Sequence, residues 1–196
     1  MKVERKINSG MGTVCRIVAI AVLVLLVSSC NTSRDVVDSA VSHGAFSDRM
    51  DGCCIDLAGK PVVLDSEYYL VYYAADWCPY CKEFQDTLKD TYARFQRMYG
   101  NVQIVFAGHV RDTCDQNMID FLLQGEYGFP YVKYDEREKT GIMNLVDVPK
   151  FWIPGFVLVD RSGKVLSSSN GQTKEDYCRD CPLQNYESLQ QCDCLK

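Results

Sequence analysis

Apolar residues along this chain arrive in blocks whose internal spacing changes, and each change marks an element boundary. The run Tyr68-Tyr69-Leu70-Val71-Tyr72-Tyr73-Ala74-Ala75 is continuous and rich in aromatic and β-branched side chains, the pattern of a strand buried on both faces. Directly after it the spacing turns helical. Phe84, Leu88, Tyr92, Phe95 and Met98 recur every three or four residues, which predicts a helix over 81–99 ended by Gly100. A second run at 102–107 predicts another buried strand, and Met118, Phe121 and Leu122 form the apolar face of a helix over 114–124 that Asp112 or Thr113 can cap. Further on, Phe129-Pro130-Tyr131-Val132 reads as a short extended segment and 139–145 as a helix. Phe156-Val157-Leu158-Val159 and 164–166 pair as a hairpin turning at Asp160-Arg161-Ser162-Gly163. An edge strand is expected at Pro61-Val62-Val63-Leu64. Together these elements predict an α/β sandwich whose mixed sheet has a parallel core and a C-terminal antiparallel hairpin.

Candidate chemistry sits where the first strand hands over to the helix, at Trp77-Cys78-Pro79-Tyr80-Cys81. Two cysteines at i and i+3 on a first helical turn lie on one side of the helix, close enough to form a small disulfide ring. Free backbone N–H groups and the positive end of the helix dipole face Cys78 and favour its thiolate, so Cys78 is the expected nucleophile and Cys81 the resolving thiol. A half zinc site or an inert structural bridge would use the same spacing, but neither accounts for the strand before it or for Trp77. The expected chemistry needs no metal and no cofactor.

Residues 1–29 read as an export signal: Lys2, Arg5, Lys6 and Arg16 precede an uninterrupted apolar stretch at 17–27 and the small pair Ser28-Ser29. That stretch is too short to span a bilayer comfortably. Val27-Ser28-Ser29-Cys30 is similar to a bacterial lipobox, which implies a lipidated Cys30 anchoring the chain in a membrane of the cell envelope, in the periplasm. An ordinary secretory signal or an uncleaved anchor are the other readings. Residues 1–29 carry four basic groups and one acid, so removing them takes the formal net charge from −5 to −8, a poor match for nucleic acid. The expected organisation is therefore signal at 1–29, polar spacer at 30–52, one domain at 53–170 and a cysteine-rich extension at 171–196.

With these residues placed, the chain resembles the thioredoxin superfamily over about 59–169, on the strength of Trp77-Cys78-Pro79-Tyr80-Cys81 combined with Ile153-Pro154. The resemblance implies a three-layer sandwich and a cis Pro154 lying against the dithiol. It also implies that backbone groups of Ile153 face a bound peptide and that Trp77, Pro79 and Tyr80 shape the docking surface. Gly59-Lys60, Tyr72-Tyr73-Ala74-Ala75-Asp76-Trp77 and Phe129-Pro130-Tyr131 are similar to the tryparedoxin and nucleoredoxin branch, whereas Cys81-Lys82-Glu83-Phe84 looks like membrane-tethered thiol reductases of cytochrome c maturation. One position departs from the pattern. Thioredoxins carry a buried Asp six residues before the first motif cysteine, and here that residue is Tyr72. Glu83 and Asp76 are the candidate proton acceptors in its place.

Eleven cysteines in an exported chain suggest structural disulfides, and Cys53, Cys54, Cys178, Cys181, Cys192 and Cys194 flank the domain as candidates for bridges between its two ends. A zinc site from Cys178, Cys181, Cys192 and Cys194, or a second redox pair serving Cys78, would use the same residues. Cys114 is the expected leftover thiol. His43 and His109 build no Cys-His pair, and neither a phosphate-binding loop nor a metalloprotease motif is present. The expected function is thiol:disulfide exchange on cysteines of exported proteins, as reductase or isomerase, with an unidentified membrane redox partner supplying electrons. Pro79 offers no N–H and Tyr80 no imidazolium, which argues against a strong oxidant. Apocytochrome c thiols are a narrower substrate, and a non-catalytic metal- or partner-binding protein is the reading from another class.

Overall fold

The computed structural model describes residues 45–98 and 101–185. Six strands form one sheet: β1 (Cys54–Ile55), β2 (Tyr68–Tyr73), β3 (Val102–Phe106), β4 (Tyr131–Val132), β5 (Gly155–Asp160) and β6 (Val165–Ser168). Their order is β1-β4-β3-β2-β5-β6. β4, β3 and β2 run parallel, and β1 on one side and β5 with β6 on the other are antiparallel to their neighbours. The parallel core and the closing hairpin are as the apolar pattern indicates.

β2 lies centrally and is buried on both faces, so it contributes to two hydrophobic layers. Leu70 and Tyr72 face one layer with Phe106, Phe121, Phe129 and Phe156, while Tyr69, Val71 and Tyr73 face the other with Phe46, Val105 and Val157. The alternation follows from the period of two along a strand. Helix α1 (Phe46–Met50) packs on the second face through fully buried Phe46 and Met50. Helices α2 (Pro79–Glu83), α3 (Gln85–Met98) and α4 (Asp115–Gln124) follow, then the single turn α5 (Arg137–Thr140) and the C-terminal α6 (Cys181–Asn185). No helix among the described residues is long and apolar enough to cross a membrane.

Several elements differ from the sequence reading. The domain begins earlier than residue 53, because Phe46 and Met50, four apart on one turn, are core residues rather than part of a spacer. The expected edge strand at 61–64 is reduced to one bridge between Pro61 and Ile55; Pro61 has no N–H to give a ladder and Val63 is 80% exposed. The helix expected over 81–99 is two segments divided at Phe84, although Leu88 N–H still donates to Phe84 O at 3.0 Å across the division. The helix expected at 139–145 begins earlier and breaks at Gly141, whose φ of 64° suits a residue without a side chain.

Candidate active site

Cys78 is the N-cap of α2, with extended backbone, and its sulfur accepts the Cys81 N–H at 3.2 Å. Its carbonyl oxygen takes the same amide at 3.1 Å and that of Lys82 at 3.2 Å, so the first turn is wound around this residue. Pro79 opens the helix at a position where a missing N–H costs nothing and its fixed φ fits. Cys78 is 3% exposed, Cys81 is fully buried, and both are thiols. Across from them the Ile153-Pro154 peptide bond is cis, and the Ile153 carbonyl oxygen lies 3.8 Å from the Cys78 sulfur. Trp77 and Tyr80, 48% and 67% exposed, stand beside the nucleophile as open apolar surface.

Burial pushes the Cys81 thiol well up, the hydrogen bond and charge of Cys78 add to that, and a backbone contact from Ala75 opposes it. Cys81 therefore keeps its proton through the neutral range until something takes it. Neither candidate carboxylate contributes to that shift: Glu83 is exposed on α2, and half-buried Asp76 instead adds to the raised pKa of Asp112. The groups gathered near the buried thiol are phenols. Tyr72 stacks on Phe156 with ring centroids 4.6 Å apart, and its hydroxyl is buried beside that of Tyr127. Desolvation holds the Tyr72 hydroxyl well above its ordinary pKa, with Tyr127, Cys81, Cys78 and Tyr177 adding to the shift. Tyr127 and Tyr177 are pushed up by burial too, and Cys81 contributes to both shifts. The Tyr177 hydroxyl donates to Pro154 O at 2.7 Å, which ties the C-terminal segment to the cis proline.

Residues 65–165, just over half the chain, match the family model described as thioredoxin-like. The chain belongs to the thioredoxin-like family. With that membership comes a class of chemistry, thiol:disulfide oxidoreduction. No curated protein sequence matches the chain. Among solved structures it is similar to a thioredoxin from Wuchereria bancrofti, at 18% identity and a TM-score of 0.50 over 69% of this chain and 91% of that one. Tryparedoxin II from C. fasciculata matches at 18% identity and a TM-score of 0.50 over 69% and 82%. Tryparedoxin II complexed with glutathionylspermidine matches at 15% identity and a TM-score of 0.54 over 73% and 94%. At these identities the likeness speaks to the fold. In this thioredoxin-like chain Cys78 faces the cis Ile153–Pro154 bond, with Cys81 buried behind it and Trp77 and Tyr80 exposed alongside.

Three of the remaining cysteines, Cys53, Cys54 and Cys181, depart from expectation. Cys53 and Cys54 are buried thiols, not halves of bridges to the C-terminal extension. β1 and β6 occupy opposite edges of the sheet, five strand spacings or about 24 Å apart. α6 packs against β5 and β6, so its Cys181 lies far beyond the reach of a disulfide from β1. Burial raises the Cys53 thiol, helped by its contact with Glu136 Oε2 at 3.5 Å, and pushes Cys54 up to about 12. Cys181 is fully buried and disulfide-bonded, which removes one thiolate from the four-cysteine zinc set. Cys178 donates its N–H to Ser169 O at 2.9 Å. Cys114 is an exposed thiol, and Cys30, Cys192 and Cys194 lie outside the described residues.

Two site residues were not picked out from the sequence. Tyr177 lies in a segment with no strong periodicity, and nothing local shows that its hydroxyl reaches back to Pro154. Arg137 is a charged residue in a charged stretch, yet it is buried and holds the loop after β3: it donates to Ala107 O at 3.2 Å and His109 O at 3.0 Å, and pairs with Asp112 at 3.5 Å. Gly108 in that loop has φ of 72°, and a Cβ there would run into the Asp112 carboxylate and Met118. The loop so fixed sets His109 edge-on to Trp77, centroids 5.0 Å apart.

Proposed function

We propose that this protein is an exported thiol:disulfide oxidoreductase, tethered in the cell envelope by lipid on Cys30, that reduces or isomerises disulfides of exported proteins. The observation that carries the chemistry is the unequal pair: Cys78 caps a helix with its sulfur facing backbone N–H and the cis-proline loop, while Cys81 is fully buried behind it. Cys78 thiolate attacks one sulfur of a substrate disulfide, forming a mixed disulfide and releasing the other substrate sulfur as thiolate. Cys81 then gives up its proton and attacks the Cys78 sulfur, which releases the second substrate thiolate and leaves a Cys78–Cys81 disulfide. Two electrons pass to the substrate, and a membrane dithiol donor restores the pair. Pro79 and Tyr80 between the cysteines supply no cation to hold a thiolate, which supports the reducing direction over strong oxidation.

The test is trapping. Cys81→Ser should accumulate mixed disulfides with exported proteins that dithiothreitol releases, and Cys78→Ser should trap none. Equal trapping by both variants would contradict the assignment of Cys78 as nucleophile.

A further inference from the structure

Beside the dithiol runs a groove of about 380 Å³ whose lining includes His109, Val110, Arg111, Lys150, Phe151 and Ile153. Ile153, one of the lining residues, has its carbonyl oxygen 3.8 Å from the Cys78 sulfur, so one wall of the groove adjoins the nucleophile. Its walls are the loop after β3 and the stretch leading into the cis proline, two segments held by separate devices. Arg137 braces the first, and Asn170 braces the second, accepting Trp152 N–H at 2.6 Å and donating to Trp152 O at 3.1 Å.

The sign of charge in this groove is opposite to that of the chain. The formal net charge is −5, yet among the described residues lining the groove none is a carboxylate, while Arg111 and Lys150 are cations and His109 is a third basic residue. Burial and the neighbouring Arg111 and Arg137 lower the pKa of His109, so at neutral pH the two fixed charges are Arg111 and Lys150. Asp112, next to the loop's tip, is buried and engaged by Arg137, and Asp147 in the facing stretch is not among the lining residues. Both cations are placed by aromatic rings: Arg111 lies 5.1 Å from the centre of Trp77, and Lys150 Nζ lies 3.7 Å from that of Trp152. Apolar area flanks them, with Val110 71% exposed in the groove wall.

We propose that this groove takes an extended acidic segment adjoining the reacting cysteine of a polypeptide substrate, its carboxylates on Arg111 and Lys150 and its apolar side chains against Val110, Phe151 and Trp77. A polypeptide is the occupant because the exchange reading brings a cysteine-bearing protein to Cys78, and the groove carries apolar surface and two cations on from Ile153, beside that sulfur. The inference rests on the dithiol reading, and the test separates the two.

Four peptides are compared on the full chain at low ionic strength. Two carry a central cysteine capped as a disulfide with 2-mercaptoethanol and flanked by aspartates or by lysines, and two are fluorescent analogues of these with serine for cysteine. The aspartate peptide should be reduced about tenfold faster than the lysine peptide, a gap that salt closes. Its serine analogue should also bind more tightly by anisotropy. The chain's net negative charge would favour the lysine peptide, so an aspartate preference cannot come from the overall field. Arg111→Glu with Lys150→Glu should abolish or invert the ratio, with near-UV circular dichroism verifying the fold; Lys150→Glu alone, in an exposed position, serves if the double variant does not fold. Equal handling of the two charges by the wild type, or a ratio that survives both reversals, overturns the proposal. Failure of the wild type to reduce neutral hydroxyethyl disulfide overturns the dithiol reading instead, while the serine analogues still report on the groove.

Discussion

Cys78 and Cys81 lie one helical turn apart and differ in what surrounds them. The Cys78 sulfur has a backbone N–H and an opening towards Trp77 and Tyr80, whereas Cys81 is packed into the core layer with Phe84 and Phe156. Because burial holds the Cys81 proton, iodoacetamide should label Cys81 last of the two motif thiols and only in alkali, as read by peptide mass mapping. The sign of the shift also sets a stability trend. A thiol whose folded pKa is raised adds stability below its unfolded value of about 8.5 and loses it as pH climbs through the folded value, so the reduced form should weaken above about pH 9. Tyr72 carries a different prediction. Its buried hydroxyl is within hydrogen-bonding reach of the Tyr127 phenol, so Tyr72→Phe should cost about 1 kcal/mol in urea unfolding, and a gain in stability would show that the hydroxyl is unpaired. A sequence shows that Tyr72 stands where thioredoxins have a carboxylate, but not that Tyr127 and Tyr177 converge on the same thiol from distant parts of the chain.

Elements with a long apolar signature were legible, and those fixed by a few tertiary contacts were not. β2, β3, the β5–β6 hairpin and α4 follow from runs and periods that any packed sandwich must bury. α1 is a single turn, and its two core residues carry no period that distinguishes it from a spacer. The loop after β3 was equally silent, since its shape depends on Arg137 arriving from α5. That buried pair carries a prediction of its own. Arg137→Met leaves Asp112 with the His109 N–H but without its cation, at a cost of about 3 kcal/mol in urea unfolding near pH 7. Asp112 already has a pKa raised by burial, and Arg137 is among the groups that hold it down. Protonating Asp112 removes the unpaired charge, so the deficit of the variant should shrink as pH falls towards 4. A deficit constant with pH would mean that packing, not charge, is what Arg137 contributes.

Across the whole molecule, the sheet order decides which distant residues can meet. It brings Pro154 to Cys78 and separates Cys53 and Cys54 from α6 by the full width of the sheet, which no count of cysteines could have revealed. The C-terminal segment is part of the fold: Leu183 and Cys181 are buried against the hairpin, and Tyr177 reaches the cis proline. Cys181→Ser, which breaks its disulfide, should therefore cost about 2–5 kcal/mol of stability, measured by urea unfolding under non-reducing conditions. All of these placements serve one dithiol, and the most direct test of the account is its equilibrium reduction potential in glutathione or dithiothreitol buffers, with Cys78→Ser as control. The account predicts a reversible two-electron couple at or below about −230 mV. A potential at or above about −150 mV would reverse the direction of electron flow, and an absence of reversible exchange between Cys78 and Cys81 would contradict the enzyme reading outright.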